Sequence, residues 1–343
     1  MKQISYQLNH IQHCYMDKCV LDIDKLQISR GSITGLTGPN GSGKSTLLKI
    51  MAFALKPTRG DVCFNGRKET PLSPRVRSRV TLLTQKPYLL RRSVFDNIAY
   101  GLKIRKDLSN LEKRICNALE SVGLDHGDFA HRQWHALSGG EAQRVAMAAR
   151  LILKPDVLLL DEPVANVDTQ SAEQIRKASL AAREDWGCTL VIASHDLPWL
   201  TECTDTRISI ANGKIFSTGT ENIIPPPYDL SQKDAPVKWL DNGGADEHIR
   251  LPMGNRTRGI AVIQKGKIHI CLKRDKTNGY DNQITAQITA MLMEKSDGRI
   301  MIRLKAGDFS LDIRFSQDQA AALSLLPGRH VILLFRSQDI EWR

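Results

Sequence analysis

No stretch of this chain approaches the ~20 uninterrupted apolar residues of a membrane-spanning helix, so any membrane connection is expected to come through a partner. Residues Met1 to Lys18 are polar and interrupted by His10 and His13, and no signal-peptide apolar core is expected there. There is no C-x-x-C pair and no cysteine–histidine spacing suited to zinc. The seven cysteines (Cys14, Cys19, Cys63, Cys116, Cys188, Cys203, Cys271) are scattered through a long chain, and read as reduced thiols of a cytosolic protein. Internal repeats and low-complexity tracts are also missing. What remains is a globular composition, 41% hydrophobic and 25% charged over 343 residues, enough for one very large domain or two ordinary ones. The net charge of +11 suits a polyanion, a membrane surface or an anionic small molecule, and a solvated basic surface equally well.

The chain is organised around Gly38-Pro39-Asn40-Gly41-Ser42-Gly43-Lys44-Ser45-Thr46. An apolar strand, Ile33 to Leu36, precedes it, and an apolar helical run, Leu47 to Leu55, follows. Strand, glycine-rich loop, Lys-Ser and helix is the order of a phosphate-binding P-loop. Backbone N–H groups at the helix start meet phosphate oxygens at the positive end of the helix dipole. Lys44 adds a point charge for the β- and γ-phosphates, and the Ser45 hydroxyl can ligate Mg²⁺.

Two β-rich stretches, Ile4–Ile11 and Val20–Ile28, precede the loop. Beyond it, Asp61–Phe64 and Val80–Thr84 read as strands, and Ser93–Leu102, Leu111–Val122 and Glu141–Leu153 as helices. Val157–Leu160 and Thr189–Ala193 are short continuous apolar runs, the pattern of strands buried on both faces of a parallel sheet. They end in Asp161-Glu162-Pro163 and Ser194-His195, where open α/β sheets place their ligands. Asp161 can hold Mg²⁺, Glu162 can take a proton from water attacking the γ-phosphate, and His195 can sense or polarise that phosphate.

Leu137-Ser138-Gly139-Gly140-Glu141 adds a second anion-ready helix N-terminus. With this motif the chain resembles the nucleotide-binding subunit of an ABC transporter, whose signature is Leu-Ser-Gly-Gly-Glu. The resemblance covers Met1 to about Thr220. It implies an α/β P-loop NTPase fold of the ABC ATPase type, ATP hydrolysis with Mg²⁺, and a place at the cytoplasmic face of the membrane. It also implies that Ser138, Gly139 and Gly140 of one subunit close over ATP on the P-loop of another, so the expected partner is a second copy or a similar subunit. Tyr15 matches the aromatic residue that stacks on adenine. Gln85 matches the glutamine that touches Mg²⁺ and the water while its loop meets a transmembrane permease subunit. The text from Pro87 to Gly101 looks like the importer version, fed by a separate substrate-binding protein. Ala165-Asn166-Val167-Asp168 occupies the D-loop, where Ser-Ala-Leu-Asp is commoner.

Helices thin out after Thr220. The proline run Pro225–Pro227 and the polar stretch with Gly243-Gly244 read as a linker over 221–247. Residues 248–343 then read as a second, smaller all-β barrel-like domain. Its expected strands are Gly259–Leu272, Gln283–Met293, Arg299–Leu304, Phe309–Phe315 and His330–Phe335. Asn278-Gly279 and Asp297-Gly298 mark turns, and Gln317–Leu326 a short helix. This tail resembles the TOBE-type domain of importer ATPases for oxyanions, sugars and polyamines, and the ATPase text looks most like tungstate or molybdate importers. Molybdate-binding relatives of the tail carry a Thr-Ser-Ala-Arg-Asn-type strand; the comparable Gln283–Ile288 lacks the Arg-Asn. Arg299, Arg303, Lys305, Arg314, Arg329 and Arg336 could serve an anion or simply face solvent. Other importer substrates (sulfate, polyamine, sugar, iron), a regulatory ATPase, and a soluble ABC ATPase acting on DNA or ribosomes are the competing readings. Tandem ATPase domains and coiled-coil insertions, usual in the last, are missing, so no nucleic acid is expected.

Overall fold

The computed structural model describes residues 3–165, 167–196, 199–200, 203–216, 221–231, 235–241, 247–253, 260–272, 279–293 and 298–342. The expected boundary at Thr220, and Asn166, Gly243, Gly244, Gly259, Asn278 and Asp297, lie outside the described residues. The chain divides into two compact units, Met1–Phe216 and Ser217–Arg343.

In the first unit, β1 (Ile4–Tyr15), β2 (Lys18–Ser29), β3 (Ile33–Thr37), α1 (Lys44–Met51), β4 (Arg59–Phe64) and β5 (Arg67–Lys68) come first. Then follow α2 (Pro74–Arg77), β6 (Val80–Leu83), α3 (Val94–Ile104), α4 (Leu111–Ser121), α5 (His126–Phe129) and α6 (Gly139–Leu151). β7 (Val157–Asp161), α7 (Thr169–Trp186), β8 (Thr189–Ala193), β9 (Thr206–Ala211) and β10 (Lys214–Phe216) complete it. β10-β9-β3-β8-β7-β6 form one sheet, parallel throughout except at the β9–β10 hairpin. β2-β1-β4-β5 form a separate antiparallel sheet.

The continuous apolar runs have a direct explanation. Successive residues of a strand face opposite sides, and here both sides are dry. Leu158, Leu160, Leu190 and Ile192 join the core under α3, α4, α6 and α7. Val157, Leu159, Val191 and Ala193 join the core around α1 and the antiparallel sheet. At about 1.5–3 kcal/mol for each large side chain removed from water, these two strands are a principal source of the unit's stability. Helix α1 ends at Met51, earlier than the apolar run to Leu55 suggests. The N–H groups of Ala54 and Leu55 both return to the Lys49 carbonyl, and Phe53 turns into the left-handed region with φ 55°.

The second unit is all-β and barrel-like, as expected, apart from α8 (Gln317–Ala322) and short 3₁₀ turns among the described residues. Its strands are β11 (Glu221–Ile224), β12 (Val237–Trp239), β13 (His248–Arg250), β14 (Ala261–Gln264) and β15 (His269–Cys271). They continue with β16 (Asn282–Met293), β17 (Ile300–Ala306), β18 (Phe309–Phe315), β19 (His330–Phe335) and β20 (Ile340–Trp342). The sheets are β15-β19-β16-β17-β18, β11-β14-β20 and β12-β13. The stretch expected to be one strand, 259–272, is broken by a 3₁₀ turn at Lys265–Lys267 into β14 and β15, which belong to different sheets.

The expected linker, 221–247, is corrected: its described residues are part of this unit. β11 pairs with β14 and β12 with β13, while Ile224 and Leu240 join the core of the second unit and Val237 is buried. The Asn222 side chain donates to the Asp312 carbonyl at 2.8 Å and accepts from its N–H at 2.6 Å. Tyr228 donates to the Ile224 carbonyl and accepts from Ala261 N–H. Composition misled because prolines at a strand end resemble a spacer, while the partners of β11 lie about 40 residues away.

Each unit therefore has its own core, and a chain ending just after Phe216 is expected to unfold cooperatively and to keep whatever nucleotide affinity the full chain has, as the phosphate-loop sequence leads one to expect. Thermal unfolding and a nucleotide titration check this. An aggregated or non-cooperative product would show that the first unit depends on the second.

Candidate active site

The loop after β3 closes on itself through Lys44. Its ammonium donates to the carbonyls of Gly38 at 2.7 Å and Pro39 at 3.1 Å and is only 7% exposed. Burial pulls this lysine below its ordinary range, while the nearby Glu162 and Asp161 charges push it back up. Two glycines are required by space as well as by torsion. A Cβ on Gly38 (φ 146°) would meet the Ile210 carbonyl oxygen at 2.0 Å. One on Gly43 (φ 106°) would meet Leu21 Cδ2 at 2.6 Å and the Val20 carbonyl oxygen at 2.9 Å. The loop is thus pressed between β9 and β2 at the start of α1, and the Ser42 N–H turns back to the Pro39 carbonyl at 3.2 Å. The Ser42 hydroxyl is buried there without a protein partner.

Across a cleft of about 460 Å³ stand the ends of β7 and β8. Asp161 and Glu162 are buried, with 6% and 9% exposure. Glu162 lies in the left-handed region at φ 49°, and its N–H donates to the Ala193 carbonyl at 2.8 Å. This strained turn aims the carboxylate into the cleft. One carboxylate oxygen, Oε2, accepts the His195 N–H at 3.2 Å. The other, Oε1, lies 3.1 Å from His195 Nε2, within ion-pair range but out of line for a hydrogen bond. Chemically, this is an acceptor held ready opposite an anion cradle.

The cleft brings together Asn40 to Thr46, Gln85, Asp161, Glu162 and His195. Gly38 and Pro39 stand behind it as the acceptors of Lys44. Tyr15 does not line it. That ring is half-exposed at the end of β1, edge-on to His13 with centroids 4.7 Å apart. Ser138, Gly139 and Gly140 do not line it either. Ser138 caps α6 in a reciprocal box with Glu141, accepting from its N–H at 3.3 Å and donating to its carboxylate at 2.7 Å. A Cβ on Gly139 would meet nothing within 4 Å, whereas one on Gly140 would strike Ser171 and Asp168. The helix end is open at Gly139 and closed behind it.

Val20, Val164, Ser194 and Asp196 also line the cleft and were not singled out. Ser194 and Asp196 flank His195, so proximity was an available signal. Val20 carried none, because only the folding of β2 over the loop places it there.

A family model described as "ABC transporter" matches residues 21–165. The tungstate uptake system ATP-binding protein TupC of Peptoclostridium acidaminophilum is 34% identical over 209 residues, 61% of this chain and 95% of that protein. The molybdate/tungstate import ATP-binding protein WtpC of Pyrococcus horikoshii is 35% identical over 317 residues, 89% of this chain and 90% of that protein. The chain belongs to the ABC transporter ATP-binding proteins. As a member of the importer class it binds and hydrolyses ATP. Substrates named within the family differ at similar distance: the spermidine/putrescine import ATP-binding protein PotA of Mesoplasma florum is 34% identical over 82% of this chain and 77% of its own length. Among solved structures, the ABC cassette MJ0796, a dimer bound to ADP and Pi, matches with TM-score 0.58 and 26% identity, covering 62% of this chain and 97% of that one. CbiO1 of Clostridium perfringens, part of the transporter complex cbiONQ, matches with TM-score 0.57 and 29% identity, covering 64% and 89%. Among the described residues no helix is long and apolar enough to cross a membrane.

Proposed function

We propose that this chain is the ATP-hydrolysing subunit of an importer for tungstate or molybdate. The observation that carries the substrate is the likeness to WtpC, which at 35% identity extends over 89% of the chain. TupC, named for tungstate uptake, supports the same choice over 61% of it. The likeness to PotA favours a second reading, in which the cargo is spermidine or putrescine.

In this reading the N–H groups of Gly41 to Thr46 and the Lys44 ammonium hold the ATP phosphates, and Tyr15 stacks on the adenine. Ser45, Gln85 and Asp161 offer only oxygen donors, the hard set that Mg²⁺ takes, and all three line one cleft. Bound there, the ion would offset phosphate charge. Glu162 accepts the proton of the attacking water, and the His195 N–H keeps the carboxylate turned toward it. Ser138 to Gly140 of a second copy cover the γ-phosphate, and the subunit works as a homodimer on the cytoplasmic face. The loop after Gln85 carries Tyr88, 78% exposed, and offers an apolar contact for a membrane permease subunit that a substrate-binding protein supplies.

Direct oxyanion capture by the second unit is not part of this proposal. Thr285 donates both its N–H and its hydroxyl to Glu247, so a carboxylate stands where the comparable strand would need donors. Arg303 forks onto Asp312, Arg329 bonds the Leu323 and Ser324 carbonyls, and Arg336 stacks on Tyr280.

Deleting the gene from its native cell is expected to abolish uptake of labelled tungstate and leave spermidine uptake intact. The wild-type gene should restore uptake and a Lys44→Ala copy should not. Loss of spermidine uptake with tungstate uptake preserved would move the cargo to polyamines.

A further inference from the structure

The β1–β2 hairpin places two cysteines face to face, and Cys19 adjoins Val20, which lines the nucleotide cleft. Cys14 is the register partner of Cys19, one step before the Tyr15–Lys18 pair that closes the hairpin. The Cys14 N–H donates to Thr58 Oγ1 at 3.1 Å, toward the β4 side of the strand and away from β2. Cys14 and Cys19 therefore form a non-hydrogen-bonded antiparallel pair, in which the Cα atoms stand about 4.5 Å apart and the side chains are at their closest. That separation lies within the range of about 4.4–6.8 Å that a disulfide spans. Cys19 is exposed and Cys14 half-buried, so an oxidant can reach them. The remaining cysteines are less suited: Cys188, for example, is buried and its thiol is pushed up to about 12, first by desolvation.

The pair is joined to the cleft by the backbone. The ladder steps from His13↔Leu21 to Cys14↔Cys19, so Val20 is the extra residue of a β-bulge. A bulge re-aims a side chain, and Val20 lines the cleft. The same two residues, Val20 and Leu21, press on Gly43 of the phosphate loop. On the other strand, Cys14 immediately precedes Tyr15. The turn between them is weakly specified, because Met16 occupies the left-handed region at φ 51° without being Gly or Asn, and is 99% exposed.

We propose that Cys14 and Cys19 are a redox modification site whose disulfide pre-organises the hairpin and tightens ATP binding. The effect on ATP rests on the reading of Tyr15 as the adenine-stacking residue. The oxidant is a small disulfide of the glutathione class. One cysteine thiolate attacks a glutathione sulfur and expels a glutathione thiolate. The second thiolate attacks the protein sulfur of the mixed disulfide, forming the Cys14–Cys19 bond and expelling the second glutathione. Two electrons pass to the oxidant, and the two protons leave the protein thiols for the two released glutathiones. In the reduced state the Cys19 thiol is held above its ordinary range, first by its hydrogen bond with Cys14 and then by burial. The thiolate is therefore scarce at neutral pH, and oxidation should be slow and accelerate as pH rises.

The test uses the full-length chain incubated with oxidised glutathione or with dithiothreitol. Differential alkylation and peptide mass mapping read the bond, and calorimetric titration reads ATP affinity. The expected result is a Cys14–Cys19 disulfide, ATP bound about threefold more tightly, reversal by dithiothreitol, and no response in Cys14→Ser. Glutathione adducts without the intramolecular bond would overturn the site. A bond that leaves ATP affinity unchanged or weakens it would overturn the coupling. A Tyr15→Ala variant keeps the two readings apart: unaltered ATP affinity there would remove the adenine role, while the mass map still decides the disulfide.

Discussion

Glu162→Gln is expected to bind ATP and to hydrolyse it at least ~10²-fold more slowly, the scale of losing a general base. The substitution keeps the shape and one acceptor for the His195 N–H, so the local backbone has little reason to move. What it removes is basicity, at the group proposed to take the proton of the attacking water. Glu162 is 9% exposed, and its backbone sits in the left-handed region to hold it there. Because binding survives while turnover fails, the variant should also accumulate as an ATP-bound dimer. Phosphate release and size-exclusion chromatography with Mg-ATP measure the two effects. Turnover equal to wild type would remove Glu162 from the chemistry and leave His195 or Asp161 to be tested as the base.

The parts of this site that could be read from the sequence are those set by local text. Lys44, Ser45 and the three loop glycines sit in one window, and Asp161, Glu162 and His195 close apolar runs too short to be anything but buried strands. The alternation of apolar runs and helices already implies parallel strands with these residues at one sheet edge, while the order β3-β8-β7 that brings them to one cleft is seen only in the structure. Val20 was not legible, because a bulge created by pairing across the hairpin decides where it points. Residues 221–224 failed for a related reason. Their partners, Ala261 to Gln264 and Asp312, lie 37 to 90 residues on, and no local window contains both halves of such a pairing. The end of α1 was misplaced because apolar composition persists through Phe53 and Leu55 after the helical hydrogen bonds have stopped.

A mixture of Ser138→Arg and Lys44→Ala subunits is expected to recover ATP hydrolysis that neither variant shows alone. The reasoning starts from a mismatch within one chain. The helix end that begins at Ser138 is open at Gly139, and in the proposed function it receives an anion, yet it does not line the cleft of its own subunit. Supplying it to a second copy resolves the mismatch, and two-fold symmetry then yields two identical composite sites. Lys44→Ala removes the charge that closes the phosphate loop, with two carbonyl acceptors left behind, so its homodimer should be inactive at both sites. Ser138→Arg breaks the capping box and puts bulk where the phosphate would lie, so its homodimer should fail as well. In the heterodimer, the phosphate loop of the Ser138→Arg subunit meets the intact signature of the Lys44→Ala subunit. One site is whole and the other doubly broken. With random pairing of equal amounts, half of the dimers are mixed and about a quarter of all sites are intact. Recovered turnover should approach that fraction if the sites act independently, and fall below it if both must fire together. ATP-induced dimerisation separates the second case from failure: mixed dimers that form no better than either homodimer would mean that the signature is not shared between subunits.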